Sequence, residues 1–138
     1  VGALILPDGI TLVNIGDSRA YVIRGETIRQ ITRDHSLVQA LVARGELTQE
    51  EARVHPKKNL ITRALGVDPE VSEDAFQVQA QPGDRLLLCS DGLSNVLSDQ
   101  QILELSRGED LEESCRRLLT STLEAGAPDN VTVVMARL

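Results

Sequence analysis

Three aspartates stand where a strand-like run meets a tight turn: Asp17 in Ile15-Gly16-Asp17-Ser18-Arg19, Asp91 in Cys89-Ser90-Asp91-Gly92, and Asp129 in Gly126-Ala127-Pro128-Asp129-Asn130. A carboxylate at a strand end is fixed by a rigid element and still faces a cleft, which is what a metal ligand requires. No His or Cys accompanies them at zinc spacing, so the donors are hard oxygens suited to Mg²⁺ or Mn²⁺. Asp beside Gly or Asn is also ordinary turn chemistry, the side chain bonding its own backbone. Taken together the three weigh toward a metal, because Asp91 follows a buried apolar run where a carboxylate is costly without a partner. A shared cation supplies that partner.

Other hydrolytic plans can be tested against the letters. A cysteine phosphatase needs an Arg six residues after its Cys to clasp the phosphate, but Cys89 is followed at that distance by Asn95 and Cys115 by Ser121. A serine hydrolase needs its nucleophile between glycines on a strand-to-helix turn, and Gly92-Leu93-Ser94-Asn95-Val96 lacks the second glycine. A phosphoryl-aspartate enzyme needs a second acid two residues after the first, where Asp91 has Leu93. No Gly-rich phosphate loop with Lys is present either.

The elements that must position these acids begin with four short β-rich runs, 3–6, 10–15, 20–24 and 27–31, separated by Pro7-Asp8-Gly9, Gly16-Asp17-Ser18 and Gly25-Glu26. They read as an antiparallel meander. Helices are expected over 37–44, closed by Gly45, and over 49–54, opened by Thr48 and Glu51 as a capping box and ended by His55-Pro56. Strands are expected around 60–64 and 71–79, then over the apolar run 85–90, which reads as a central strand buried on both faces. Ser98 with Gln101 opens a helix to Ser106, and Asp110 with Glu113 opens a longer one to Ala125. In the latter, Leu111, Cys115, Leu118, Leu119 and Thr122 recur at helical spacing and are expected to face the core. A strand over 131–138 completes an α+β plan with helices packed on antiparallel sheet.

Composition bounds the rest. The 138 residues suit one core, built of Leu, Val, Ile and Ala with one Phe, one Tyr and no Trp. A net charge of −7 with no basic, aromatic-interleaved stripe argues against nucleic acid. Cys89 and Cys115 read as buried thiols in a reducing compartment. No apolar run approaches the roughly 20 residues that span a bilayer, and no signal peptide leads the chain, so a cytoplasmic protein is expected. The chain opens at Val1 inside a strand-like run, with no initiator Met, as a fragment would.

Five segments resemble the PP2C (PPM) family of metal-dependent protein phosphatases, particularly its bacterial members. They are Val13-Asn14-Ile15-Gly16-Asp17-Ser18-Arg19-Ala20-Tyr21, Ile31-Thr32-Arg33-Asp34-His35-Ser36, Asn59-Leu60-Ile61-Thr62-Arg63-Ala64-Leu65-Gly66, the run from Gly83-Asp84-Arg85 through Ser90-Asp91-Gly92-Leu93, and Asp129-Asn130-Val131-Thr132-Val133. They occur in family order and span nearly the whole chain. The resemblance implies an α-β-β-α sandwich of antiparallel sheets flanked by helices, here partial. It also implies hydrolysis of phosphoserine and phosphothreonine in protein substrates by a metal-activated water.

Carried over by position, Asp91 and Asp129 are the expected catalytic ligands of a core metal pair, and Asp17 the ligand of a third, weaker Mn²⁺ or Mg²⁺. Gly92 and Asn130 are expected beside the site, and about 34–60 to form a mobile flap over the cleft. His35 reads as a cap neighbour of the following helix and His55 as a helix-end residue. The family pattern normally begins with an Arg, an Asn-Glu-Asp segment and an Asp-Gly-Met-Gly-Gly segment, and none of these occurs here. The chain thus reads as the C-terminal portion, 1–138, of a single phosphatase domain, binding metal weakly and turning over poorly alone. Its uncovered sheet edges and apolar faces invite self-association. A catalytically inactive PP2C-like binding or regulatory module is the alternative.

Overall fold

The computed structural model describes residues 1–7 and 9–138, so Asp8 of the expected Pro7-Asp8-Gly9 turn lies outside the described residues. Among the described residues, seven strands form two antiparallel sheets. The first sheet contains β1 (Gly2–Leu6), β2 (Gly9–Asn14) and β5 (Asp74–Val78), in the order β1-β2-β5. The second contains β3 (Arg19–Arg24), β4 (Thr27–Gln30), β6 (Arg85–Cys89) and β7 (Val133–Arg137), in the order β4-β3-β6-β7. The expected single meander is therefore corrected. After β2 the chain turns through Gly16, whose φ of 106° suits a residue without a Cβ, and crosses to the other sheet.

The alternation along β3 shows why two sheets are needed. Tyr21 and Ile23 join Leu87 and Cys89 of β6 under a helical layer, while Ala20 and Val22 join Leu86 against Ile10 and Leu12 of β2 and Val78 of β5. Successive side chains point to opposite faces, and a strand apolar on both must be covered twice. β6 is buried in this two-sided way, as its sequence suggests.

The helical layer comprises α3 (Asp91–Ser94), α4 (Asp99–Leu105) and α5 (Leu111–Glu124), which cover the second sheet through Leu93, Ile102, Leu103 and Leu118. The capping box at Ser98 and Gln101 is present, and Asp110 caps α5 by accepting the N–H groups of Glu112 and Glu113. The buried line of α5 is Ser114, Leu118 and Thr122, flanked by half-buried Leu111, Cys115 and Leu119. Ser114 and Thr122 tolerate burial because their hydroxyls donate to the carbonyls of Asp110 and Leu118 within the helix. Cys115 is thus half-buried rather than enclosed.

Between β4 and β5 lie α1 (Leu37–Ala43) and α2 (Gln49–Val54), the latter opened by the Thr48–Glu51 capping box. The strand expected at 60–64 is reduced to one bridge between Ser36 and Ile61. That bridge, with Leu37 N–H donating to Leu60 O, ties the two stems of this segment together.

Candidate active site

Asp17 sits in the turn after β2, and Asp91 is the first residue of α3 at the end of β6. Both line one cavity of about 270 Å³. The 34–60 segment also lines it, through Val38 and Gln39 of α1, Gln49, Ala52 and Arg53 of α2, and Lys58. Burial first, and the charge of Asp91 second, push the Asp17 carboxyl above its usual range. A carboxylate partly withdrawn from water beside a second one is unfavourable unless a cation lies between them. The oxygen donors therefore fit a hard divalent metal.

Asp91 is steadied by Asn95, whose Nδ2 donates to Oδ2 at 3.2 Å one turn along the helix. Gly92 lies beneath the chain that returns into β7: a Cβ there would stand 2.3 Å from the carbonyl oxygen of Asn130. Ser90 completes the junction, its Oγ donating to Asn130 O at 3.1 Å and accepting Thr132 N–H at 3.0 Å. The Asp129-Asn130 loop is thus fastened beside Asp91. Asp129 itself is exposed, does not line the cavity, and accepts Asn130 N–H at 2.7 Å in the manner of a turn aspartate. Among the described residues no three His, Cys, Asp or Glu side chains converge as a ready metal cluster. The fold brings two of the three expected ligands to one cavity and leaves the third outside its lining.

The sequence reading missed several groups around the cavity. Arg19 donates from Nε to both Asp34 oxygens at 3.0 Å, from Nη2 to Asp34 Oδ2 at 2.7 Å, and from Nη1 to the Tyr21 hydroxyl at 3.1 Å. That hydroxyl approaches Asp99 Oδ1 at 3.4 Å, and Arg53 of α2 reaches the same carboxylate at 3.7 Å. The β3–β4 hairpin, continued by Ile31 N–H donating to Ala20 O, brings Asp34 opposite Arg19. His55 is a helix end as expected, capping α2 and accepting Lys57 N–H at Nδ1.

Residues 6–138 match the family described as Stage II sporulation protein E (SpoIIE). The chain belongs to the SpoIIE/PP2C family. This PP2C-type chain is 40% identical over 136 residues to the serine/threonine phosphatase Stp of Listeria welshimeri, covering 98% of itself and 54% of that protein. It is similar to the crystal structure of the Mycobacterium tuberculosis serine/threonine phosphatase PstP/Ppp, with TM-score 0.93, 47% identity and coverage of 99% and 57%. A second PstP structure, the catalytic domain in complex with two manganese ions, aligns at TM-score 0.88 and 45% identity, over 98% of this chain and 56% of that one. The PP2C-type chain thus spans about half the length of these relatives. The mixed α+β architecture of paired antiparallel sheets and helices is that of PP2C phosphatases.

Proposed function

We propose that this chain is the C-terminal portion of a metal-dependent phosphatase domain that hydrolyses phosphoserine and phosphothreonine in protein substrates. The observation that carries the reading is the cavity that Asp17 and Asp91 both line, with Asp17 pushed up by burial and by its neighbour. Asp91 and Asp129 would hold the core Mn²⁺ or Mg²⁺ ions and Asp17 a further one. Such cations, when bound, lower the pKa of a coordinated water and neutralise phosphoryl oxygens.

The chain's own residues do the rest. Asn95 orients Asp91, while Ser90 and Gly92 hold the Asn130 peptide against it. Arg53 and Lys58 set positive charge on the flap side of the cavity, where an anionic phosphate would enter. With a net charge of −7, the partner is a phosphoprotein rather than nucleic acid. No described helix is long and apolar enough to cross a membrane, and two unpaired thiols accord with a cytoplasmic setting.

The exposed position of Asp129 favours a second reading for the chain by itself, an incomplete centre that binds without turning over. The test is Mn²⁺-dependent hydrolysis of a phosphothreonine peptide by the full-length protein, by its Asp91→Ala and Asp129→Ala variants, and by this chain alone. Activity lost in both variants supports the phosphatase. An inert full-length protein that binds Mn²⁺ hands the case to the binding module.

A further inference from the structure

One residue grips both backbone polar groups of Gly16, the residue that precedes Asp17. Gly16 N–H donates to His35 Nδ1 at 3.1 Å, and Gly16 O accepts the backbone N–H of His35 at 2.9 Å. Asn14 Nδ2 adds a bond to Gly16 O at 3.2 Å and another to Arg33 O at 3.1 Å. His35 is only 7% exposed, so its ring is held by these partners rather than by solvent.

The neighbours also decide where the ring carries its proton. Nδ1 accepts from Gly16, so the neutral imidazole has its hydrogen on Nε2. Nε2 lies 3.1 Å from Asp74 Oδ2 and 3.1 Å from Arg63 Nη1. The two hydrogens of that Nη1 are already directed to Ser72 O at 3.0 Å and Asp74 Oδ1 at 2.9 Å. The Nε2 proton therefore goes to Asp74. The bond from His35 first and that from Arg63 second hold the Asp74 carboxyl below its usual range, as expected of an ionised acceptor.

His35 stands at the start of the 34–60 segment and Arg63 three residues beyond its end. Thr62 N–H donates to His35 O at 2.7 Å, next to the Ser36–Ile61 bridge. We propose that His35 is a positioning residue for Asp17. Through Gly16 it fixes the loop that carries this carboxylate, and through Asp74, a carboxylate it shares with Arg63, it ties that loop to the start of β5 and to the chain just past the 34–60 segment. The inference rests on the proposed role of Asp17 as a metal ligand. Groups that orient a ligand in this indirect way typically cost 10–100-fold in metal affinity when removed.

The experiment uses the full-length protein and has two arms. In two-bond ¹H–¹⁵N spectra His35 is expected as the Nε2–H tautomer; an Nδ1–H tautomer overturns the proposal. In the second arm Mn²⁺ binding is titrated directly by calorimetry. His35→Asn places an amide oxygen where it can accept Gly16 N–H, whereas His35→Gln reaches only toward Asp74. The dissociation constant of the weak site is expected to rise about tenfold or more in His35→Gln and to stay within about threefold in His35→Asn. Asp17→Asn should abolish the same site, with no further loss in the double variant.

Equal weakening in both His35 variants, or lowered thermal stability with unchanged Mn²⁺ binding, shows a merely structural histidine. Should His35→Gln not fold, His35→Ala, which also leaves Gly16 N–H without its acceptor, takes its place beside His35→Asn, with the same tenfold rise expected. Mn²⁺ binding that depends on Asp17 and His35 without peptide hydrolysis defeats the phosphatase reading and leaves the positioning role standing. A weak site indifferent to Asp17 defeats the positioning role.

Discussion

Gly92 and Cys89 show how single residues on either side of Asp91 are constrained by different forces. At Gly92 the constraint is space, since the atoms a Cβ would meet are the backbone oxygen and carbon of Asn130 at 2.3 and 2.9 Å. Backbone cannot swing aside as a flexible side chain can. Gly92→Ala is expected to cost about 1–3 kcal/mol, the usual range for overpacking, and to displace the Asp129 loop; urea unfolding and Mn²⁺ titration measure the two effects. At Cys89 the constraint is desolvation, which pushes the thiol up to about 12. Only about 10⁻⁴ of it is thiolate at pH 8, by the ordinary titration relation. Iodoacetamide is expected to label the native protein at Cys115 first and at Cys89 only on unfolding, as mass spectrometry of timed samples would show.

Between elements, the closure of α5 on the second sheet depends on Leu118, which is fully buried among Leu93, Ile102 and Leu103. Leu118→Ala is expected to destabilise by about 2–5 kcal/mol, the cost of lost burial plus a cavity, as urea unfolding would measure. The turn into β6 is held by charge instead. Asp84, its side chain 2% exposed, accepts Arg24 Nε at 2.8 Å and Nη2 at 2.7 Å. It also accepts Gln81 N–H at 2.9 Å. The bond from Arg24, more than that from Gln81, lowers the Asp84 carboxyl below its usual range. A lowered carboxylate stabilises the fold above its unfolded pKa of about 3.9, and that stability is lost as pH falls through the folded value. Asp84→Asn is therefore expected to be less stable than the unsubstituted protein at pH 7, the gap closing below about pH 4; thermal melts across pH 3–7 check it.

For the whole molecule, the two sheets are covered unequally. Helices close the far side of β3 and β6, while the outer side of β1 and β2 leaves Leu4 58% and Val13 43% exposed. Contiguous apolar sheet surface of this kind favours association, and β1 is also an edge with unpaired backbone groups. This chain is expected to sediment as a concentration-dependent mixture of species. Leu4→Lys should shift it toward monomer, and identical profiles for the two would remove the outer face as the cause.

Much of this was legible in the letters, for reasons that differ by residue. The capping boxes at Thr48 and Ser98, the two-sided strand at 85–89 and the helix over 111–124 are local: hydrogen-bond complementarity and side-chain period act within a few residues. The places of Asp17 and Asp91 at strand ends were legible because strand runs and turn residues are local signals, whereas their meeting in one cavity was not. The sequence could not say that β2 and β3 part into separate sheets, since hairpin-like spacing is compatible with either pairing and only burial of both faces of β3 decides. Nor could it join His35 to Gly16 and Asp74, which are 19 and 39 positions away in the chain. Those contacts exist because the crossing between sheets carries the Asp17 turn against the base of the flap, and a buried imidazole there must find a partner for each nitrogen.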